Sequence, residues 1–200
     1  MVNLKLNFKL FFIFIVCLIF LINQVKAEDN LVVIGKNDAR IKIKVFSSLT
    51  CPHCASFHIN VIPKIKKKYV EKGKVQLILI DFPLDQIAFN AAKLLHCLDK
   101  KKQIEFLDTI YENQSQWTSG SNLDEINGNL KEIVKNLGIN KVKFDKCLIN
   151  EVISDEILNA RIDGQKKYSI NSTPTIIINE KKLEGSVDFK NIKKKIEKLI

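Results

Sequence analysis

Cys51 and Cys54 stand three residues apart with Pro52 and His53 between them. Thiols at this spacing can close a reversible disulfide and pass it to a second dithiol. Apolar residues follow at Cys54, Phe57, Val61, Ile62, Ile65 and Tyr69, the spacing of one helical face. The two thiols therefore fall on the first turn of a helix. There the unpaired backbone N–H groups and the helix dipole favour negative charge on sulfur. Cys51, nearer solvent, is the expected nucleophile, and Cys54, one turn deeper, the resolving thiol. His53 can add a donor or a positive charge. A purely bracing disulfide is the weaker reading, because so short a loop restricts the unfolded chain little. Zinc is weaker still. Cys54 and His58 share a helical face with Cys51 close by, but a fourth ligand is wanting. No metal and no cofactor are expected, the Cys51–Cys54 disulfide itself being the redox group. His58 and His96 read as ordinary surface or packed histidines.

Strands and helices must hold this pair in place. Leu31 to Gly35 reads as a short first strand, and Ile41-Lys42-Ile43-Lys44-Val45-Phe46 alternates as a half-buried second. The dithiol helix is expected to run to about Glu71, kinked at Pro63 and stopped by Gly73. Val75 to Phe82 is a third strand closed by Pro83, and a helix between two strands implies a parallel, right-handed crossover. From Asp85 to about Tyr168 the pattern is helical. Ile87 to Leu98 and Ile104 to Tyr111 form two helices, Trp117 to Gly120 a break, and Asn122 with Glu125 a capping-box-like start. Gly138 ends that helix, and Phe144, Cys147 and Leu148 lead into a further one reaching Ile162. Strand text returns at Thr175 to Asn179, with a turn at Glu180-Lys181 and a short edge at Lys182 to Glu184. A last helix carries Phe189, Ile192, Ile196 and Leu199. No repeat or low-complexity linker interrupts the chain.

The chain of 200 residues carries a formal charge of +10. Residues 1–27 read as a secretory signal: Lys5 and Lys9, the apolar run Leu10 to Ile22, then Val25-Lys26-Ala27 as a cleavage site. That run falls short of the roughly 20 residues a membrane-spanning helix needs, so cleavage is preferred to an uncleaved anchor. Loss of Lys5, Lys9 and Lys26 would leave +7. The positive charge is almost all lysine, with arginine only at Arg40 and Arg161. Lacking bidentate groups, this surface argues against nucleic acid as a partner. Cys17 would leave with the signal, and four cysteines in an exported chain suggest two bridges with three possible connectivities. The Cys51–Cys54 spacing settles one, which leaves Cys97 with Cys147; two separate buried thiols are the alternative.

The order is strand, strand, Cys-x-x-Cys helix, strand, helical insert, Thr173-Pro174, two strands, helix. It resembles the thioredoxin fold with a helical insertion, an α/β architecture, and specifically the DsbA family of periplasmic thiol-disulfide oxidoreductases. Cys51-Pro52-His53-Cys54, Asp81-Phe82-Pro83-Leu84 and Thr173-Pro174 carry the resemblance, which spans the chain after the signal. It implies a thioredoxin-like domain of residues 28–84 and 166–200, with a helical insertion at 85–165. It further implies a monomeric dithiol oxidase in the periplasm that donates its disulfide to newly translocated proteins. Reduced or unfolded exported proteins would be substrates, and a DsbB-type quinone-linked membrane partner would reoxidise it. Thr173, ahead of a cis Pro174, would pair its backbone with an extended substrate segment. The alternatives are a reductase or isomerase of the same fold, or a redox-inert chaperone or binding module. The family pattern also implies an acidic residue six positions before the first cysteine, beneath the disulfide. Here that position is Val45, which leaves proton transfer to water or to another group.

Overall fold

A computed structural model describes residues 31–200; the expected signal segment lies outside them. The mixed sheet has the order β1-β3-β2-β4-β5, from β1 (Val32–Ile34), β2 (Ile41–Ser47), β3 (Val75–Asp81), β4 (Thr175–Ile178) and β5 (Lys181–Lys182). β2 and β3 pair in parallel, and the other neighbours are antiparallel. β2 shows why its alternation works. Ile41, Ile43 and Val45 are buried against Phe57, Ile62 and the C-terminal helix, while Lys42 faces water. Each such aliphatic side chain contributes roughly 1.5–3 kcal/mol on full burial.

The dithiol segment departs from the single kinked helix that its spacing predicts. It divides into α1 (Pro52–Asn60), α2 (Ile62–Ile65) and a π-helical turn (Lys66–Val70). Pro63 has no N–H to give the preceding turn, so the ladder breaks beside Val61. The wider turn is then closed by Glu71 N–H to Lys66 O at 3.0 Å and Lys74 N–H to Tyr69 O at 3.0 Å. Gly73, at φ +67, ends the run in the left-handed region.

The helical insert comprises α3 (Gln86–Cys97), α4 (Lys100–Glu112), α5 (Gln114–Trp117), α6 (Leu123–Asn136), α7 (Lys141–Leu148) and α8 (Glu151–Tyr168). Two boundaries differ from expectation. α5 fills part of the predicted break, and α7 is separate from α8 because Asn150 caps the latter, accepting from Ile153 N–H at 3.1 Å. Asn122 accepts from Glu125 N–H at 3.0 Å, while Glu125 reaches back to the N–H of Ser121.

The last hairpin turns at Asn179 and Glu180, both at positive φ, so β5 begins one residue before the predicted edge. The C-terminal helix α9 (Phe189–Glu197) lays Ile192 and Ile196 onto the sheet. A second core, built by the insert around Phe106, Trp117 and Leu130, extends to Cys51 and Cys54. Among the described residues no helix is long and apolar enough to cross a membrane.

Candidate active site

Cys51 is the N-cap of α1, with φ −80 and ψ 118, and its carbonyl accepts from Cys54 N–H at 3.0 Å and Ala55 N–H at 3.1 Å. Pro52 occupies the first helical position, where a missing N–H costs nothing. Both cysteines are free thiols. Cys51 is 8% exposed and Cys54 1%, so the expected nucleophile is less open to solvent than its place at the helix start predicts.

The Thr173–Pro174 peptide bond is cis, and Cys51 Sγ donates to the Thr173 carbonyl at 3.3 Å. The Thr173 hydroxyl is buried and has no geometric hydrogen-bond partner in the dithiol state. The two Thr173 groups act oppositely. A thiol that donates to a carbonyl is held protonated, whereas a nearby hydroxyl stabilises the thiolate. Burial is the largest single influence on Cys51 and opposes ionisation. Thr173, together with the Cys54 and His53 backbone N–H groups, outweighs it and sets Cys51 below the ordinary cysteine value. His53 itself is exposed. Cys54 goes the other way. Burial, reinforced by the neighbouring Cys51, pushes it up to about 12 against the pull of Thr173 and the Ser48 backbone. One thiol is prepared to attack or leave, and its neighbour to keep its proton.

Side chains remote in sequence hold the loop before Cys51. Gln114 Nε2 donates to Leu49 O at 2.8 Å and Cys51 O at 3.1 Å. Thr50 Oγ1 donates to Asp85 Oδ2 at 2.7 Å, while Asp85 Oδ1 caps α3 through Ala88 N–H at 2.7 Å. Neither Gln114 nor Asp85 belongs to a motif. Asp85 stands at a legible helix start, but nothing local in Gln114 signals its role.

His58 is buried and His96 half-buried, and each is paired with a carboxylate rather than simply packed. His58 Nε2 lies 2.7 Å from Asp108 Oδ1, with the ring stacked near Tyr111. His96 Nε2 lies 2.7 Å from Asp81 Oδ2. Among the described residues no three His, Cys, Asp or Glu side chains gather as a metal would need. Away from the dithiol, Cys97 and Cys147 are joined in a disulfide across α3 and α7, with Cα atoms 6.0 Å apart.

The thioredoxin family model matches residues 27–198. A Bacillus cereus protein named "Probable disulfide bond formation protein D" is 29% identical over 182 residues, covering 88% of this chain and 82% of that one. Among solved structures, Wolbachia pipientis alpha-DsbA1 is similar at TM-score 0.78 and 30% identity, covering 88% of this chain and 94% of its own. Oxidised BdbD of Bacillus subtilis gives TM-score 0.74 at 25% identity, over 85% of this chain and 92% of that one.

Proposed function

Since the chain belongs to the thioredoxin family, among its DsbA-like thiol-disulfide oxidoreductases, we propose that it works as an exported dithiol oxidase. Its substrates are reduced proteins newly delivered across a membrane. The Cys51–Cys54 disulfide is its redox group, and it acts as a monomer. A substrate thiolate attacks Cys51 Sγ, forming a mixed disulfide and releasing Cys54. A second substrate thiolate then attacks the substrate sulfur of that bond, forming the substrate's disulfide and expelling Cys51 as a thiolate. The Thr173 carbonyl, 3.3 Å from Cys51 Sγ, is where an extended substrate segment would pair, in a short form of strand addition. A quinone-linked membrane oxidase of the DsbB type would restore the disulfide.

The observation that carries this reading is the contrast between the two thiols, Cys51 below the ordinary value and Cys54 pushed up to about 12. A stabilised Cys51 thiolate favours the reduced protein and so makes the disulfide a good donor. The test is redox equilibrium with glutathione. The expected potential lies well above the thioredoxin value of about −270 mV. A potential as low as that would assign a reductase instead.

A further inference from the structure

Cys54 must shed a proton whenever it attacks and gain one whenever it leaves, yet it is 1% exposed. Behind it lies a cavity of about 20 Å³ whose polar lining is Ser47, Cys54, His58, Asp81 and Tyr111. That volume suffices for about one water molecule, with polar partners to hold it. Asp81 ends β3 opposite Ser47, one pair beyond Phe46 and Ile80, and so on the sheet face shared by Val45 and Leu79. It is the one carboxylate among the described residues lining the cavity.

Asp81 is not paired as a surface carboxylate would be. Its side chain is 11% exposed and that of His96 9%, with Nε2 to Oδ2 at 2.7 Å. The second ring nitrogen of His96, Nδ1, is buried without a hydrogen-bond partner. Burying an ionisable pair costs several kcal/mol of hydration per charge, and leaving one nitrogen unsatisfied adds to that cost. An apolar pair would serve packing better. The other candidate, His58, is tied through Nε2 to Asp108, which is 54% exposed.

We propose that Asp81, held and charge-balanced by His96, is the positioning residue that exchanges the Cys54 proton through water in this cavity. The inference deepens the thiol-disulfide exchange reading of Cys51 and Cys54 and rests on it. When a substrate thiolate attacks Cys51 Sγ, the Cys51–Cys54 bond breaks and its electron pair goes to Cys54. The Asp81–His96 pair supplies the proton that neutralises that sulfur. In the reverse direction, with glutathione disulfide as oxidant, Cys51 thiolate forms a mixed disulfide and releases one glutathione thiolate. Cys54 then yields its proton to the pair, attacks Cys51 Sγ and expels the second glutathione. The dithiol is oxidised by two electrons, and one glutathione disulfide is reduced. The titratable groups facing Cys54 are Cys51, His58 on its own helix, Asp81 from β3 and Tyr111 from α4. His96 and Asp108 stand behind Asp81 and His58.

The experiment mixes the reduced chain with glutathione disulfide and follows, by acid quench and mass, formation and then resolution of the Cys51–glutathione adduct. Asp81→Asn is expected to form the adduct at the parent rate and to resolve it about tenfold or more slowly near pH 7. The deficit should narrow as pH rises, because hydroxide increasingly removes the proton that burial holds on Cys54. His96→Gln, which keeps a donor for Asp81 but no titratable ring, should shift the pH midpoint of resolution. Parent-like resolution in Asp81→Asn at every pH overturns the proposal, as does equal slowing of both phases. If Asp81→Asn does not fold, an unshifted profile in His96→Gln overturns it. Slow resolution in His58→Asn with parent-like Asp81→Asn moves the role to the other pair and also overturns it. A parent chain that forms no adduct at all instead fails the exchange reading beneath it.

Discussion

At the residue scale, the active-site contrast is made by the deeper burial of Cys54 and by the helix end and Thr173 beside Cys51. Thr173 offers Cys51 a carbonyl at 3.3 Å and a buried hydroxyl. Thr173→Val keeps the carbonyl and removes the hydroxyl. It should raise the midpoint of Cys51 alkylation by roughly one to two pH units, the worth of one hydrogen bond to a charged sulfur. The two thiols also set how the stability of the reduced protein depends on pH. Cys51 is lowered from 9.0, so the unfolded chain holds that proton longer, and stability rises with pH from the Cys51 midpoint up to about 9. Cys54 is raised from 9.0 to about 12, so the folded chain holds its proton longer, and stability falls with pH between those values. Denaturation of the reduced protein should therefore show a rise followed by a fall. The oxidised protein lacks both titrations, so the reduced-minus-oxidised difference in stability should carry this rise and fall, while the high-pH loss from buried Tyr111 is common to both forms; identical curves would remove the asymmetry. Cys51 and Cys54 were legible from spacing alone. Thr173 was legible as part of the late Thr-Pro, but its hold on both sulfurs, and the burial that divides them, were not, because strand pairing and helix packing bring these groups together.

At the element scale, the site depends on close approach between α8 and the sheet. Gly164 sits on α8, where a Cβ would meet Phe46 Cε1 at 2.6 Å. Phe46 in turn packs edge-on to Phe82 and tilted against Tyr168. Gly164→Ala must push a ring on the strand leading to the dithiol. The expected loss is about 1–3 kcal/mol in chemical denaturation, the cost of overpacking; an unchanged midpoint would mean that α8 is free to shift. Asp85 links two elements at once, capping α3 and receiving Thr50 from the active-site loop. The helix starts were readable where Asn or Asp precedes a periodic run. The break between α7 and α8 was not, since Ile149 and Asn150 continue an apparently helical text until the cap forms.

At the scale of the whole molecule, one covalent link spans the insert. The Cys97–Cys147 bridge closes a separation of 50 residues. By loop entropy it contributes up to about 4 kcal/mol, and Cys97→Ser with Cys147→Ser should lose a corresponding amount in chemical denaturation. Thiol counting on the unreduced, denatured parent should find neither residue free. The alternation of β2, the apolar spacing after Cys51, the Cys-x-x-Cys pair and the late Thr-Pro are local patterns. They determined the order of the strands and the close thiol pair, because backbone period and thiol spacing are properties of neighbours in the chain, but not the division of the dithiol helix or the break between α7 and α8. Only the tertiary structure decided what surrounds those sulfurs. It brought Asp81 and His96 together from β3 and α3, and reached Cys51 with Gln114 from the insert. The physical reason is that desolvation and charge pairing depend on distance through space, and these partners lie on different elements whose meeting no local spacing records.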